Sequence, residues 1–316
     1  MTLRGIHHIT AIAGDPQHNV EFYAEILGLR LVKQTVNYDD PGTYHLYFGD
    51  ELGQPGTILT FFPWPGAPRG RHGAGQATAV SFAVPAGSLG FWEDRLRSRG
   101  VTVERLESLF DEPMLVFEDP DGLQLELVAD PRPAVGHPWA PAPVPVSQAI
   151  RGFHSVALLE HGYEDTEALL TRVLGFRLVR SVGHRRRYAV GEGGPAAWVD
   201  LVNAPDAPPG HVAAGTVHHV AWRTPDEETQ QGWRLKILEE GLSVTPVRDR
   251  RYFTSIYFRE PGGVLFEIAT DGPGFAVDES PDALGAQLRL PPWLESEREA
   301  LTARLPRLRV PQPGPR

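Results

Sequence analysis

The chain contains no cysteine in its 316 residues, so a disulfide framework, a thiolate nucleophile and a Cys-ligated zinc or iron–sulfur cluster are excluded. No run reaches the ~18 apolar residues needed to cross a bilayer, and no basic stretch followed by an apolar segment stands near the start, which predicts a soluble cytoplasmic protein without a membrane partner. Lysine is scarce: only Lys33 and Lys236 occur among 30 basic residues, and the formal charge is -10. Apart from Arg185-Arg186-Arg187 the basic residues are scattered, so nucleic acid is not an expected partner. Dinucleotide and haem-attachment motifs are also missing; Gly191-Glu192-Gly193-Gly194 lacks a strand-to-helix context and reads as a hairpin turn.

What is present is repetition. Ile26-Leu27-Gly28-Leu29-Arg30-Leu31-Val32 matches Val173-Leu174-Gly175-Phe176-Arg177-Leu178-Val179, and each follows a strand containing His8 or His154. Between them Val20, Tyr23, Ile26 and Leu27 share one helical face, and Gly28 stands at the C-cap. A second echo pairs Glu118-Asp119-Pro120-Asp121-Gly122 and the strand bearing Glu126 with Arg259-Glu260-Pro261-Gly262-Gly263 and the strand bearing Glu267. Four βαβββ modules follow, near 5–65, 76–130, 151–203 and 216–270, each a small curved sheet under one amphipathic helix. The fold class is therefore α+β, with two paired-module, barrel-like domains: 1–135 holds modules one and two, and 151–272 holds modules three and four. Residues 136–150 form a Pro-rich linker, and 273–316 an extension with a short helix around Leu294 to Arg304 and loosely draped residues from Pro311 to Arg316.

The first and fourth modules open alike, Gly5-Ile6-His7-His8-Ile9 and Thr216-Val217-His218-His219-Val220. Neighbouring residues of a regular strand point to opposite faces, so only one histidine of each pair can reach a given metal. Aligned on flanking apolar residues, His7, His154 and His218 fall in one column and His8, Ser155 and His219 in the next. Only the second column confines histidine to modules one and four, which favours His8 and His219 over His7 and His218. The latter pair would point away, or support the site if the strand is distorted. Glu267, flanked by apolar residues, is a buried carboxylate whose desolvation a cation would offset. His154 with Glu126 is a weaker second combination. With His8 in module one and His219 and Glu267 in module four, modules one and four should pair around the metal. Two imidazoles and one carboxylate leave coordination positions vacant, the arrangement of non-haem Fe(II) oxygenases.

At Leu3-Arg4-Gly5-Ile6-His7-His8-Ile9-Thr10, Tyr44 to Thr57, Arg151-Gly152-Phe153-His154-Ser155, Gly215 to His219 and Pro261 to Glu267 the chain resembles the vicinal oxygen chelate superfamily, which includes glyoxalase I, bleomycin-resistance proteins and extradiol dioxygenases. Over residues 3 to about 290 it is similar to the hydroquinone-type ring-cleaving dioxygenases within that superfamily. The resemblance implies His8, His219 and Glu267 as iron ligands, and His218, Arg250 and Tyr257 in supporting or substrate-side roles. It implies an Fe(II)-dependent enzyme, with Mn(II) as the alternative ion, inserting O2 into a hydroquinone-like or catechol-like aromatic diol, with Tyr257 and His218 moving protons. An apolar lining including Trp222 would exclude water. The rival readings are a glyoxalase-type isomerase or lyase, which would use two carboxylates where module one supplies none, and a non-catalytic drug-binding protein. Exposed sheet edges predict a homo-oligomer.

Overall fold

The computed structural model describes residues 1–310; Pro311 to Arg316 lie outside the described residues, and so does the expectation that they drape loosely. Module one comprises β1 (Ile6–Ala13), α1 (Pro16–Val20), β2 (Arg30–Asn37), β3 (Asp40–Gly49) and β4 (Ile58–Pro63). Module two repeats the order as β5 (Gln76–Pro85), α2 (Leu89–Ser98), β6 (Val103–Leu109), β7 (Glu112–Glu118) and β8 (Gln124–Asp130). Module three has β9 (Phe153–Glu160), α3 (Glu164–Ala168), β10 (Arg177–Val182), β11 (Arg185–Ala189) and β12 (Trp198–Asn203). Module four has β13 (Thr216–Thr224), α4 (Glu227–Glu239), β14 (Arg248–Asp249), β15 (Thr254–Arg259) and β16 (Leu265–Thr270). In the extension, 3₁₀ turns lead into α5 (Arg298–Arg304), and among the described residues no helix is long and apolar enough to cross a membrane.

The first helix starts earlier than its apolar spacing predicts, because the Asp15 carboxylate accepts from the amides of Gln17 and His18, at 2.8 and 2.9 Å, and so caps it at Pro16. Its second half, Glu21–Ile26, widens into π-turns, and α3 does the same over Leu169–Val173. Phe22, Tyr23 and Ala24 are all buried, a broader stripe than a regular α-helix lays on a sheet, and the wider turn accommodates it. Gly28 then ends the unit at φ +72°, where a side chain would be strained.

Two eight-stranded sheets result, with orders β14-β15-β16-β13-β1-β4-β3-β2 and β10-β11-β12-β9-β5-β8-β7-β6. Each joins two modules through an antiparallel pair of their first strands: β1 with β13 for modules one and four, β5 with β9 for two and three. The connections after modules one and three run alongside each other, bridging Arg71 to His211 and Ala74 to Pro209. There a Cβ on Gly73 would meet the Pro208 carbonyl oxygen at 2.2 Å.

The main core lies between the sheets and their helices and contains Trp92, Trp222 and Trp233. A smaller cluster, including Val32, Tyr47, Tyr252, Phe253, Phe275 and Leu284, fills the concave side of the first sheet. The extension closes that side. The buried Lys33 ammonium donates to the Asp278 carboxylate at 2.6 Å and to Glu279, Gln34 Nε2 donates to the Gly285 carbonyl at 2.6 Å, and the Tyr44 hydroxyl donates to the Pro306 carbonyl at 2.9 Å.

Candidate metal centre

His8 on β1, His219 on β13 and Glu267 on β16 converge at the join of modules one and four. His8 Nε2 lies 3.2 Å from His219 Nε2 and 3.3 Å from Glu267 Oε2, and His219 Nε2 lies 2.9 Å from the same oxygen. All three side chains are buried. Ser255 Oγ donates to Glu267 Oε1, whereas Oε2 faces only the two imidazole Nε2 atoms. Burial alone would push the Glu267 carboxyl up, but the facing imidazoles outweigh it and hold it well below the usual carboxylate range.

Adjacent histidines reach one site because both central strands bulge. Between Ile6 and His8 the register with β13 slips at His7, and between His219 and Val217 the register with β1 slips at His218. The extra residue turns toward its neighbour instead of alternating away: His7 Nδ1 stands 2.9 Å from His8 Nδ1, and His218 Nδ1 stands 2.7 Å from His219 Nδ1. If Nε2 of His8 and of His219 binds an ion, each Nδ1 keeps its proton and donates it to His7 or His218, which must be neutral. Burial drives both in that direction, His7 well below the usual imidazole range and His218 down to about 3.

That donor set fits one divalent cation. Ligands at about 2.1 Å and at right angles to one another stand about 3 Å apart, close to the spacings of this triangle. Two imidazoles and one carboxylate are a donor set that would suit Fe(II) or Mn(II). Thr60 on β4 explains why the described residues supply no fourth ligand beside these three. It pairs with Thr10 as Glu267 pairs with Ala221, so it holds the position in module one that the carboxylate holds in module four. Its Oγ1 is hydrogen-bonded to Thr10 Oγ1 at 2.9 Å and to His45 Nε2 at 2.8 Å.

Tyr257 lies directly across from Glu267 on β15, with its ring 5.8 Å from that of His219. Its hydroxyl accepts from Arg250 Nε at 3.0 Å, and the same guanidinium donates to the Asp39 carboxylate at 2.9 Å. Burial pushes the phenol well up, so Tyr257 stays protonated at neutral pH. Opposite stand His45 and Tyr47 on β3, whose hydroxyl lies 2.8 Å from His45 Nδ1, with the His45 ring 4.3 Å from Phe62. Phe253 packs on His7 and His8 at 4.9 and 5.0 Å. Trp222, expected to line the site, instead faces the main core against Phe176 and Phe266, because it is three residues from His219 on a strand and so on the opposite face. His45 and Thr60 escaped the sequence reading, because neither is marked apart from an ordinary strand position until β3 and β4 pair.

In the second sheet the same bulges fall at Thr78 and His154. The matching ligand positions hold Ala79 and Ser155, and the matching carboxylate positions hold Glu126 and Asp200. Asp200 is bound by Arg187, and Ser81 Oγ donates to Glu126. His154 Nε2 lies 3.3 Å from Glu112 and 3.9 Å from Asp130, so it is directed toward these carboxylates rather than into a pairing with Glu126.

A model of the Glyoxalase/Bleomycin resistance protein/Dioxygenase superfamily matches residues 5–127 and 152–268. MhqO of Bacillus subtilis (strain 168), named as a ring-cleaving dioxygenase, is 50% identical over 295 residues, covering 93% of each chain. The chlorohydroquinone/hydroquinone 1,2-dioxygenase of Sphingobium indicum is 40% identical over 307 residues, covering 95% of each. A crystal structure described as a dioxygenase from Bacillus subtilis superposes with a TM-score of 0.93 at 46% identity, over 98% of this chain and 99% of the other. Glyoxalase I from Zea mays superposes at 0.62 with 16% identity, over 84% of this chain and 92% of its own, a likeness of fold.

Proposed function

The chain belongs to the glyoxalase, bleomycin resistance protein and dioxygenase superfamily, within its hydroquinone-type ring-cleaving group, and on that premise we propose that it opens hydroquinone rings with O2 at Fe(II) held by His8, His219 and Glu267. The observation that carries this reading is the triangle of two imidazoles and one carboxylate with Thr60 in the fourth place. Glyoxalase-type proton shuttling would call for a second carboxylate there, and a hydroxyl cannot replace it at neutral pH.

Bound there, Fe(II) would supply a Lewis acid with vacant positions for the ring hydroxyl and O2 and a route for electrons from one to the other. The diol supplies the electrons, so no separate reductant is needed. His7 and His218, accepting from the two ligand imidazoles, fix their tautomers and ring orientation. Tyr257 presents a protonated hydroxyl beside the ligands, and Arg250 holds it in place while neutralised by Asp39. We assign Tyr257 and His218 to proton movement during ring opening, and Arg250 to orienting Tyr257 and attracting the substrate oxygen. Phe62, Phe253 and Tyr47 supply apolar walls that keep bulk water from the reacting ring.

The preference for a 1,4-diol over a catechol rests on the named activity of the Sphingobium relative. Fe(II) and reduced diols persist best in a reducing compartment, which supports the cytoplasm as the working location. A homo-oligomer is supported by the edge strand β10, where Leu178, Val179 and Val182 are exposed at 50%, 50% and 43% beside unpaired backbone groups. The test is anaerobic reconstitution with Fe(II), followed by oxygen uptake with hydroquinone, chlorohydroquinone and catechol in turn. Stoichiometric uptake with the hydroquinones and a ring-opened product is expected. Uptake with catechol alone would move the substrate class, and no uptake with any diol would refute the reading.

A further inference from the structure

Where the end of β9 meets the turn between β15 and β16, two carboxylates are buried together. Glu160 is 1% exposed and Glu260 is 2% exposed. Glu260 is well supplied with donors: the amides of Gly262 and Val264 at 2.8 and 2.6 Å, and the Thr166 hydroxyl at 2.5 Å. Glu160 has none, for both of its carboxylate oxygens are buried without a hydrogen-bond partner. It is directed at the same turn, since a Cβ on Gly262 would stand 2.5 Å from its carboxyl carbon. Among the described residues no Lys, Arg or His forms an ion pair with either carboxylate. Asn203, paired side by side with Glu160 in the β12–β9 ladder and so on the same face, adds a buried amide oxygen that also lacks a donor.

The repeat provides an internal control. Counting from the ligand column, Glu160 in module three corresponds to Ala13 in module one, and Asn203 corresponds to Pro63, which pairs with Ala13 in the same parallel register. The fold therefore builds this corner with two apolar residues in one copy and with a carboxylate and an amide in the other. Packing does not require Glu160, and a lone buried carboxylate without donors costs several kcal/mol.

We propose that Glu160, Glu260, Asn203 and Thr166 form a second cation site, separate from the catalytic triad, that takes a hard divalent ion of the Ca²⁺ class and ties modules three and four together. The donors are all oxygens, two of them carboxylates, the set Ca²⁺ prefers and a softer ion does not. Burial raises both carboxyls, and the neighbouring Glu260 charge adds to it at Glu160, which rises to about 8, a penalty that a bound cation removes by keeping both ionised.

The test uses the Fe(II)-loaded holoenzyme titrated with Ca²⁺ alone, following heat of binding and thermal unfolding, in the wild type, in Glu160→Ala, which copies module one, and in Glu160→Gln. The wild type should take up one Ca²⁺ per chain and unfold at higher temperature; at a hundredfold excess over the dissociation constant the folding equilibrium should shift about a hundredfold. Both variants should lose the uptake and the shift while keeping oxygen uptake on hydroquinone. In a His8→Ala chain Ca²⁺ uptake should persist, so failure of the catalytic reading stays distinguishable from failure of this one. Absence of Ca²⁺ uptake by the wild type, together with a protonated-carboxyl infrared band at pH 7 that Glu160→Ala removes, would overturn the proposal in favour of a shared proton. Equal uptake by wild type and Glu160→Ala would overturn it as well.

Discussion

His8, His219 and Glu267 each present one atom to a common point, and the residues behind them decide how firmly. Replacing His219 or Glu267 by Ala should abolish stoichiometric iron binding and ring cleavage together, measured by metal analysis of the purified protein and oxygen uptake. Because the Nδ1 atoms of His7 and His218 face those of His8 and His219, alanine at either should weaken Fe(II) affinity about 10- to 100-fold in a chelator competition. Tyr257→Phe should keep the metal and lower kcat by roughly 10²- to 10⁴-fold, the usual worth of a positioned proton donor. Thr60→Glu asks why the fourth position is left open. A carboxylate there should hold the metal at least as tightly and suppress oxygen uptake, whereas an unimpaired rate would mean that Thr60 does not face a reactive position.

Among the elements, the two bulged strands β1 and β13 do what regular pairing cannot, bringing two adjacent imidazoles of each strand to one site. The duplicated Ile-His-His-Ile and Val-His-His-Val openings, read by register, single out His8 and His219 from four histidines, and these are the two whose Nε2 atoms face Glu267. The bulges themselves were not legible, since a slip in backbone pairing leaves no mark in side-chain type. His45 was hidden for a different reason: one histidine alternating with Tyr44, Leu46 and Tyr47 looks like any half-buried strand position until β4 brings Thr60 against it. The π-turns after α1 also depend on the sheet beneath rather than on local propensity. At the β7–β8 turn, Asp119 accepts from the Tyr23 hydroxyl at 2.9 Å and is raised by burial to about 6. Its folded value lies above its unfolded one, so the folded chain holds the proton more tightly. Stability should therefore fall as pH rises from about 4 to about 6, by on the order of 3 kcal/mol. Denaturant midpoints across that range should show the slope in the wild type and a flatter line in Asp119→Asn; equal slopes would refute it.

For the molecule as a whole, the pairing of first with last module makes the site depend on the entire chain. The four-module architecture was legible because Leu-Gly-x-Arg-Leu-Val recurs and the Pro-Gly turns recur with it, while the grip of the extension on Lys33 was not, because its partners Asp278 and Glu279 lie about 245 residues away in a segment without periodicity. Cleavage within 136–150 followed by separation of the pieces should leave neither with stoichiometric iron, and mixing them should restore it, since β1 and β13 belong to different pieces. The most direct measurement is anomalous diffraction at the iron edge from crystals of the Fe(II)-loaded protein. One peak within about 2.3 Å of His8 Nε2, His219 Nε2 and Glu267 Oε2 is the expected result. A peak elsewhere, or one from which either imidazole stands more than about 5 Å away, would contradict the account.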